Sequence, residues 1–236
     1  PAGRRLDRLR CCNSGGAPMP LEVMEEFEAR LGGRIMEGYG LTETSPVTNW
    51  CRPWDFRRKS VGMALPQVEE IIVDPQGNRL GPNHDGEILI KGPNIMKGYY
   101  KLAEQTAAVF TKDGWFRTGD MGRFDDAGHL YITGRIKEML IIGGENVFPR
   151  EIEEVLDAHP TVQASAVIGV MDESRGEVPV AFVELKDGAS FDEKTLRSWC
   201  REKLAQFKVP RDIRHIDKLP RNPTGKIMRR ELKSQA

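Results

Sequence analysis

The stretch GRIKE at residues 134–138 divides the chain into two parts that have different sequence patterns. The part before it contains short apolar runs separated by turn residues, which predicts strands. In the part after it, strand-like and helix-like segments alternate, and this is typical of a compact α/β unit. We therefore place a domain boundary at Ile136-Lys137, which gives domains at 1–136 and 137–236. The expected fold class is mixed α/β, with a β-rich first domain and a small second domain that has a three-stranded sheet and flanking helices.

The spacing of apolar residues predicts individual elements on both sides of this boundary. Before it, the pattern predicts two helices over 20–31 and 102–110, and strands over 34–37, 68–73, 86–91 and 129–132. After it, the pattern predicts a helix that begins at Pro149 and a second helix over 191–204. It also predicts strands over 163–170, 178–185 and 212–216.

The composition of the 236 residues is that of a globular protein. Apolar residues make up 39% and charged residues 30%, so the chain can bury a core and is not disordered as a whole. Lys+Arg and Asp+Glu are both 35, and this zero net charge argues against a protein that coats nucleic acid. The mean hydropathy is −0.47, and no apolar run approaches the roughly 20 residues of a membrane helix. We therefore expect no integral membrane segment.

Cysteine and histidine usage argues against a protein-bound transition metal. The four cysteines form no C-x-x-C pair, and the four histidines are scattered along the chain. This cysteine usage fits a reducing compartment, so we expect the protein to be cytoplasmic.

Four glycine-rich segments carry residue types that suit a nucleotide. SGGAP at 14–18 is small enough for a planar ligand to lie against its backbone. GYGLTET at 38–44 could stack a base, bond a phosphate and hold Mg²⁺. WFRTGD at 115–120 ends in an aspartate that can accept two hydrogen bonds from a ribose diol. NPTGK at 222–226 presents a lysine that could neutralise charge in a phosphoryl-transfer transition state.

Each segment taken singly also has a plain structural interpretation. The glycines can simply form turns, Tyr39 can be a core aromatic, Asp120 can cap a turn and Lys226 can be a surface lysine. Residues 205–236 contain nine Lys/Arg and three acidic residues, which is either a solvated basic face or an attraction for polyphosphate. The chain contains no Walker A motif and no G-x-G-x-x-G dinucleotide fingerprint.

The order of the motifs is more informative than any one of them. GYGLTET at 38–44, GWFRTGD at 114–120, GRIKE at 134–138 and PRNPTGK at 220–226 together closely resemble the acyl-adenylate-forming enzymes. That family includes acyl-CoA synthetases, adenylation domains of peptide synthetases and beetle luciferase. The resemblance covers nearly the whole chain. It implies that a carboxylic acid reacts with Mg-ATP to give an acyl-adenylate and pyrophosphate, and that the acyl group then passes to a thiol, usually that of coenzyme A.

The resemblance also implies a set of residues that bind ATP and AMP. Tyr39 would stack on the adenine, Thr42 would touch the α-phosphate and Glu43 would be the Mg²⁺ ligand. Lys226 would be the catalytic lysine that bridges the carboxylate and the α-phosphate. The other nucleotide-binding positions would be Gly15, Gly16 and Ala17 at the adenine, with Asp120 and Arg135 at the ribose.

A second set of residues is implied for the acyl and thiol substrates. In the family, the small domain swings about a hinge that matches Lys137 and brings a glycine loop to the thiol tunnel. The residues implied for coenzyme A are Gly143, Gly144 and Glu145 in this loop, with Arg175 and Lys208 at the phosphates. The residues implied to face the acyl group are Gly38, Pro46 and Val47. TETSP at 42–46 and GGENVFP at 143–149 look like fatty- or medium-chain acyl-CoA synthetases.

The chain also departs from the family pattern. Relatives carry an upstream Ser/Thr/Gly-rich loop followed by Pro-Lys-Gly, which grips the β- and γ-phosphates, and no segment here matches it. Relatives are also much longer than 236 residues. The resemblance therefore implies the β-rich end of the large domain plus the small domain, inactive without a missing N-terminal portion. Exposed surface on the large-domain part would favour pairing with another chain, including a homodimer.

Two alternatives to an acyl-CoA synthetase remain open. The first is an adenylating enzyme that loads a carrier protein, because carrier proteins are commonly acidic and the basic tail suits them equally. The second is a non-catalytic module that binds a nucleotide or coenzyme A.

Overall fold

The computed structural model describes residues 8–17, 19, 21–172, 176–223 and 225–235. The chain divides into two compact units, Pro1–Ile136 and Lys137–Ala236. Both units contain helices and sheets, so the mixed α/β fold class expected from the sequence is confirmed.

The first unit begins with a strand–helix–strand crossover. Strand β1 (Cys12–Ser14) runs parallel to β2 (Ile35–Tyr39), and helix α1 (Leu21–Leu31) connects them. The helix forms because its apolar residues recur at helical spacing, and Met24 is the one that the fold buries. Two short antiparallel strands, β3 (Asn49–Trp50) and β4 (Met63–Ala64), complete a four-stranded sheet in the order β1-β2-β3-β4.

A second sheet of the first unit is a meander of four antiparallel strands. They are β5 (Glu69–Val73), β6 (Gly86–Lys91), β7 (Phe116–Phe124) and β8 (Leu130–Arg135), and each pairs with the next. Helix α2 (Ala103–Ala108) lies between β6 and β7 in the chain. Both faces of β6 are covered, because Ile88 and Ile90 pack in one cluster whereas Leu89 packs with Trp115 in another. The apolar residues at 88–90 of strand β6 are therefore consecutive and do not alternate with polar ones.

The second unit contains one sheet with helices packed against it. Its elements in chain order are β9 (Leu140–Ile142), β10 (Glu145–Val147), α3 (Pro149–Asp157), β11 (Val162–Asp172), β12 (Gly176–Leu185), α4 (Glu193–Lys203), β13 (Asp212–His215) and α5 (Arg229–Leu232). The sheet order is β10-β9-β12-β11, and β13 adds to β12 in parallel. One apolar cluster includes Ile152 of α3 and Leu196 of α4. A separate cluster joins Phe182 to Leu219 and Leu232.

The sheet of the second unit corrects one sequence-based expectation. It has five strands, whereas the sequence pattern predicts three. The three predicted strands are present as β11, β12 and β13. The additional strands, β9 and β10, have three residues each, which is too short for a period of two to be visible in the sequence.

Across the described ranges, no helix has both the length and the apolar character that crossing a bilayer would require.

Candidate functional site

The crossover at the start of the first unit brings two of the glycine-rich segments to one edge of a sheet. Gly15, Gly16 and Ala17 follow β1, and Gly40 follows β2, because the parallel strands end at the same edge. A Cβ added to Gly15 would lie 3.4 Å from the carbonyl oxygen of Gly38, so the two segments are neighbours. Residues 15–17 are exposed. This edge is where ligands bind in open α/β sheets.

Asp120 lies at the centre of the polar contacts near this edge. Its side chain is 3% exposed, and its Oδ2 accepts a hydrogen bond from Tyr39 Oη at 2.7 Å. Its Oδ1 lies 2.8 Å from Nε of Arg135, directly across the β7–β8 ladder. The fold thus brings together three predicted nucleotide residues that are far apart in sequence.

The backbone around Asp120 is held by its own neighbours. Gly119 has a backbone φ of +69°, a conformation that residues other than glycine rarely adopt. Thr118 Oγ1 donates to the Ile88 carbonyl at 2.7 Å and accepts from the Asp120 amide at 3.0 Å. Thr118, which the sequence analysis did not single out, therefore holds the backbone of Asp120 against strand β6.

Tyr39 is both a packing residue and a donor. It packs against the apolar cluster around Ile88 and Leu130. Burial and the adjacent Asp120 carboxylate raise the pKa of the phenol. The hydroxyl therefore stays protonated and donates to Asp120, which is consistent with both the structural and the functional interpretation of Tyr39.

Thr42 and Glu43 lie on a 3-10 turn that directly follows this edge. The turn covers Thr42–Thr44, with Thr42 exposed and Glu43 half-buried. A Cβ on Gly40 would lie 1.7 Å from the carbonyl oxygen of Pro46, so only glycine fits there. Gly40 thus allows the chain to fold back and brings Pro46 and Val47 beside it. Of the predicted acyl-facing residues, Pro46 is exposed and Val47 is half-buried, and a Cβ added to Gly38 would lie 2.8 Å from the ring of Trp50.

Sequence reasoning missed the segment that holds this turn from the side. Tyr99 Oη donates to Glu43 Oε1 at 3.0 Å, and the Met96 amide donates to the Glu43 carbonyl at 2.8 Å. Asn94 Nδ2 donates to the Thr44 carbonyl at 3.0 Å. Burial and the Glu43 carboxylate raise the pKa of Tyr99, so its hydroxyl remains a donor. No spacing in the sequence connects residues 94–99 with residues 43–44, because their contact depends on the tertiary fold.

Glu43 is a suitable but incomplete Mg²⁺ ligand. In the part of the chain that the structure describes, no three His, Cys, Asp or Glu side chains cluster as metal ligands would. Mg²⁺ in nucleotide enzymes is commonly bound by one or two carboxylates, substrate phosphates and waters. The single Glu43 carboxylate fits Mg²⁺ that arrives with a nucleotide.

A buried polar chain lies behind Tyr39. Glu70 Oε2 accepts from Asn49 Nδ2 at 2.8 Å, and Asn49 Oδ1 accepts from Thr48 Oγ1 at 2.8 Å. Asn49 is also the residue opposite Tyr39 in the β2–β3 pair. Burial raises the pKa of Glu70 to about 7, although the Asn49 hydrogen bond works in the opposite direction. Oε1 of Glu70 is buried and has no hydrogen-bond partner among the described residues, which suits a protonated carboxyl.

Glu70→Gln should flatten the pH dependence of stability. Because the folded pKa of Glu70 is raised, its carboxyl favours folding below the unfolded pKa of 4.5 and loses this contribution as the pH rises through about 7. This pH-dependent loss of stability amounts to about 3 kcal/mol, and it should be absent in Glu70→Gln because glutamine does not ionise. Urea unfolding between pH 5 and pH 8, with Glu69→Gln as the exposed neighbouring control, would measure the difference. An unchanged slope for Glu70→Gln would show that Glu70 is ionised throughout.

Lys226 lies on a tight turn of the second unit. Oδ1 of Asn222 accepts from the Lys226 amide at 2.9 Å, and the Asn222 amide donates to the Lys226 carbonyl at 2.9 Å. Arg221 Nη1 donates to the Gly225 carbonyl at 3.0 Å. Lys226 is partly exposed, and no described acidic side chain is ion-paired with its ammonium group. The turn therefore presents Lys226 with its backbone fixed at both ends.

The glycine pair predicted to approach coenzyme A forms the turn of the β9–β10 hairpin. Gly143 and Gly144 have φ of +61° and +89°, the signs that a type I′ turn requires at both central residues. A Cβ on either would meet none of the described atoms within 4 Å. Hairpin geometry thus accounts for both glycines, and a role toward coenzyme A stays a prediction, as it does for the exposed Glu145.

The remaining predicted residues are dispersed over the second unit or lie outside the described residues. Both carboxylate oxygens of Glu151 lie 2.7 Å from Lys208 Nζ, so this ammonium group already has an anionic partner. Lys137 is exposed in the middle of the 3-10 turn Ile136–Glu138. Arg175 lies outside the described residues.

Comparison with known proteins agrees with the motifs and the fold. The profile of the AMP-binding enzymes matches residues 1–100, and that of the AMP-binding enzyme C-terminal domain matches residues 151–226. The chain therefore belongs to the AMP-binding, acyl-adenylate-forming enzymes.

Individual relatives are CoA ligases. The chain is 44% identical to a long-chain-fatty-acid–CoA ligase of Bacillus subtilis strain 168, over 96% of this chain and 41% of the relative. It is 43% identical to a 2-succinylbenzoate–CoA ligase of Geobacillus kaustophilus, over 98% of this chain and 47% of the relative. ATP-bound MatB from Rhodopseudomonas palustris has a TM-score of 0.89 at 39% identity, over 95% of this chain and 45% of that one. The chain thus spans less than half the length of these relatives.

Proposed function

We propose that this chain serves an ATP-dependent acid–thiol ligase that converts a carboxylic acid into an acyl-adenylate and then into its coenzyme A thioester. The observation that carries the proposal is the Tyr39–Asp120–Arg135 arrangement at the carboxyl edge of β1 and β2. A buried carboxylate with a fixed rotamer, beside an aromatic ring and an exposed guanidinium, suits a nucleoside: the acid for the ribose diol and the ring for the base.

The other residues of the first unit suit the phosphate end of the same nucleotide. Thr42 offers an exposed hydroxyl on the turn after Gly40, and Glu43 offers one carboxylate to the Mg²⁺ that accompanies ATP. Tyr99 keeps Glu43 oriented through its hydrogen bond of 3.0 Å. When bound, Mg²⁺ would neutralise phosphate charge. In this proposal the side chains of the first unit bind and orient the nucleotide.

Lys226 supplies the positive charge for the first half-reaction. An acid carboxylate attacks the α-phosphorus of ATP, an oxygen–phosphorus bond forms, and the bond to pyrophosphate breaks. Negative charge concentrates on the carboxylate and α-phosphate oxygens, where a lysine stabilises the transition state. The coenzyme A thiol then displaces AMP from the acyl group. Fatty acids are the first acids to test, because TETSP and GGENVFP resemble the fatty-acid branch of the family and one similar relative is a long-chain-fatty-acid–CoA ligase.

ATP–pyrophosphate exchange with a panel of carboxylic acids tests this proposal. The assay is run on this chain and on the complete product of its gene, with fatty acids of several lengths, succinylbenzoate and sulfoacetate. We expect exchange from the complete product and none from this chain, because no segment of its 236 residues matches the Ser/Thr/Gly-rich loop and Pro-Lys-Gly. Nucleotide binding without exchange by either sample would favour a binding module. Exchange followed by acyl transfer only to a carrier protein would show that the acceptor is the carrier protein and not coenzyme A.

Lys137→Pro should block the overall reaction while sparing adenylation. Proline fixes φ at about −65°, so a residue that must rotate between half-reactions is held in one conformation. Lys137 lies at the first position of the second unit, where we propose the hinge. Thioester formation from acid, ATP and coenzyme A, compared with pyrophosphate exchange, measures the effect, and Lys137→Ala is the control. Normal thioester turnover in the proline variant would place the hinge elsewhere.

A further inference from the structure

Arg229 connects three separate segments of the second unit. Its Nη2 lies 2.7 Å from Oε2 of Glu153 on helix α3, and its Nε donates to Oε1 of the same carboxylate at 3.1 Å. Its Nη1 donates to Oε2 of Glu138 at 3.0 Å. Arg229 follows Lys226 by three residues, and Glu138 follows Lys137 directly. A single guanidinium therefore links the lysine turn, the start of the unit and a core helix.

The Arg229 contacts are largely withdrawn from solvent. The side chains of Arg229 and Glu153 are 22% and 10% exposed, and Glu153 Oε1 also accepts from the Val167 amide of β11 at 2.7 Å. Burial works against the charged guanidinium, but Glu153 and Glu138 outweigh it and raise the pKa of Arg229. A bidentate arginine–carboxylate pair at this level of burial is geometrically specific, unlike an exposed ion pair.

The apolar contacts on either side of Arg229 do not by themselves fix the orientation of this part of the chain. Leu232 is fully buried, and Ile227 packs against the same apolar cluster. These contacts fix how deep the segment lies but are not directional. Hydrogen bonds are directional, so the bonds from Arg229 to carboxylates on two other segments fix how this segment is rotated and how far it can slide. The direction in which the neighbouring turn presents Lys226 is therefore coupled to the guanidinium.

We propose that Arg229 is a positioning residue for Lys226, and that its bond to Glu138 makes the lysine turn move as one body with the residues at the hinge. The role of Lys226 in this inference rests on the proposed function. Arg229 touches no reacting atom. It acts by bonding Glu138 and Glu153 at once, so Lys226 keeps its position relative to both carboxylates when the chain reorients at Lys137.

Glu138→Gln and Arg229→Gln test the proposal in the complete protein, and Arg230→Gln is the matched control. Arg230 is the adjacent arginine on the same short helix and is exposed. We expect Arg229→Gln to lower the kcat of adenylation by about 10²-fold, because a small misplacement of a catalytic group has that effect. We expect Glu138→Gln, which keeps the Glu153 pair, to lower it on the order of tenfold through the loss of one charged hydrogen bond. Arg230→Gln should match the parent protein.

Two further readouts separate positioning from general stability. Acyl transfer to coenzyme A from a supplied acyl-adenylate should be unchanged in Glu138→Gln, and its thermal midpoint should stay close to that of the parent. Hydrogen exchange at the amides of Asn222, Gly225 and Lys226 should be faster in Glu138→Gln and Arg229→Gln, whatever their activity. Unchanged exchange at these amides would overturn the inference, as would equal loss in both half-reactions of Glu138→Gln. If Lys226→Ala leaves adenylation intact, the proposed function fails, and the amide exchange still tests the coupling of Arg229 to the turn.

Discussion

Lys226→Ala should reduce acid-dependent ATP–pyrophosphate exchange of the complete protein by on the order of 10²–10³-fold, the usual effect of removing one preorganised charge-stabilising group. Transfer of the acyl group from a supplied acyl-adenylate to coenzyme A should remain close to normal. The asymmetry arises because Lys226 stabilises charge on the carboxylate and α-phosphate as they react, whereas thiol attack expels AMP that is already formed. Folding should be unaffected, because the turn is held by backbone groups and Asn222 rather than by the lysine side chain.

Lys218→Ala is the matched control for Lys226→Ala. Lys218 belongs to the same basic tail and is exposed. If the tail is only a solvated basic face, the two variants should behave alike and both should stay near the parent rate. If Lys226 acts in adenylation alone, only its variant loses exchange. Equal loss in both half-reactions of Lys226→Ala would contradict the role assigned to this lysine.

The sequence predicts elements well where apolar spacing is strong. The pattern predicts that helix α3 begins at Pro149, and it does, because proline suits the first helical position and the apolar residues recur with helical period. The pattern also predicts a strand over 86–91, and β6 covers these residues. Each of these elements has a local signal that tertiary contacts reinforce rather than overrule.

Contacts around the candidate site were less predictable. The Tyr39–Asp120 hydrogen bond joins residues 81 positions apart, and the Tyr99–Glu43 bond joins residues 56 positions apart. Neither pair has a spacing that apolar periodicity can reveal. The resemblance to a family implies roles for Asp120 and for both of its partners, Tyr39 and Arg135, but it implies none for Tyr99, which could be found only from the fold.

Glu70 and Arg229 were missed for a different reason. A sequence gives no indication that one glutamate in a Glu-Glu pair is half-buried while the other is exposed, because the alternation of strand faces has to be placed against a core first. Likewise, Arg229 and Arg230 differ only in their partners. Charged residues are usually solvated, so burial of a charged group is evident only when its counter-charges are known.

Asp120→Asn should raise the KM for ATP by about 10²-fold, the size expected when a ligand loses hydrogen bonds to a charged group. It should also lower the free energy of unfolding by roughly 1–3 kcal/mol, because a buried acceptor of two hydrogen bonds is replaced by a group that presents two donors and one acceptor. Arg135 is 44% exposed and can be solvated once its partner is neutral, so the larger cost of a fully buried broken pair does not apply. Substrate-saturation kinetics and urea unfolding measure the two effects separately.

Asp85→Asn is the control for Asp120→Asn. Asp85 pairs at 3.2 Å with Arg123, which lies on the same strand β7 as Asp120. Both side chains of the Asp85–Arg123 pair are more than 40% exposed. The same chemical change there should alter stability by less than about 0.5 kcal/mol and leave the KM for ATP unchanged. If the two variants behave alike, the Asp120–Arg135 contact is no more than a surface ion pair.

Tyr39→Phe then shows whether Asp120 binds the ribose diol itself or only orients Tyr39 and Arg135. The phenylalanine ring keeps the packing against the apolar cluster and the surface for a base, but it removes the hydrogen bond to Asp120. If Asp120 only orients Tyr39 and Arg135, then Tyr39→Phe and Asp120→Asn should raise the KM for ATP by the same factor. If Asp120 binds the ribose diol itself, Asp120→Asn should raise it much more. The 2′-deoxy analogue of ATP sharpens the comparison, because its disadvantage relative to ATP should disappear only in the protein that no longer has the carboxylate.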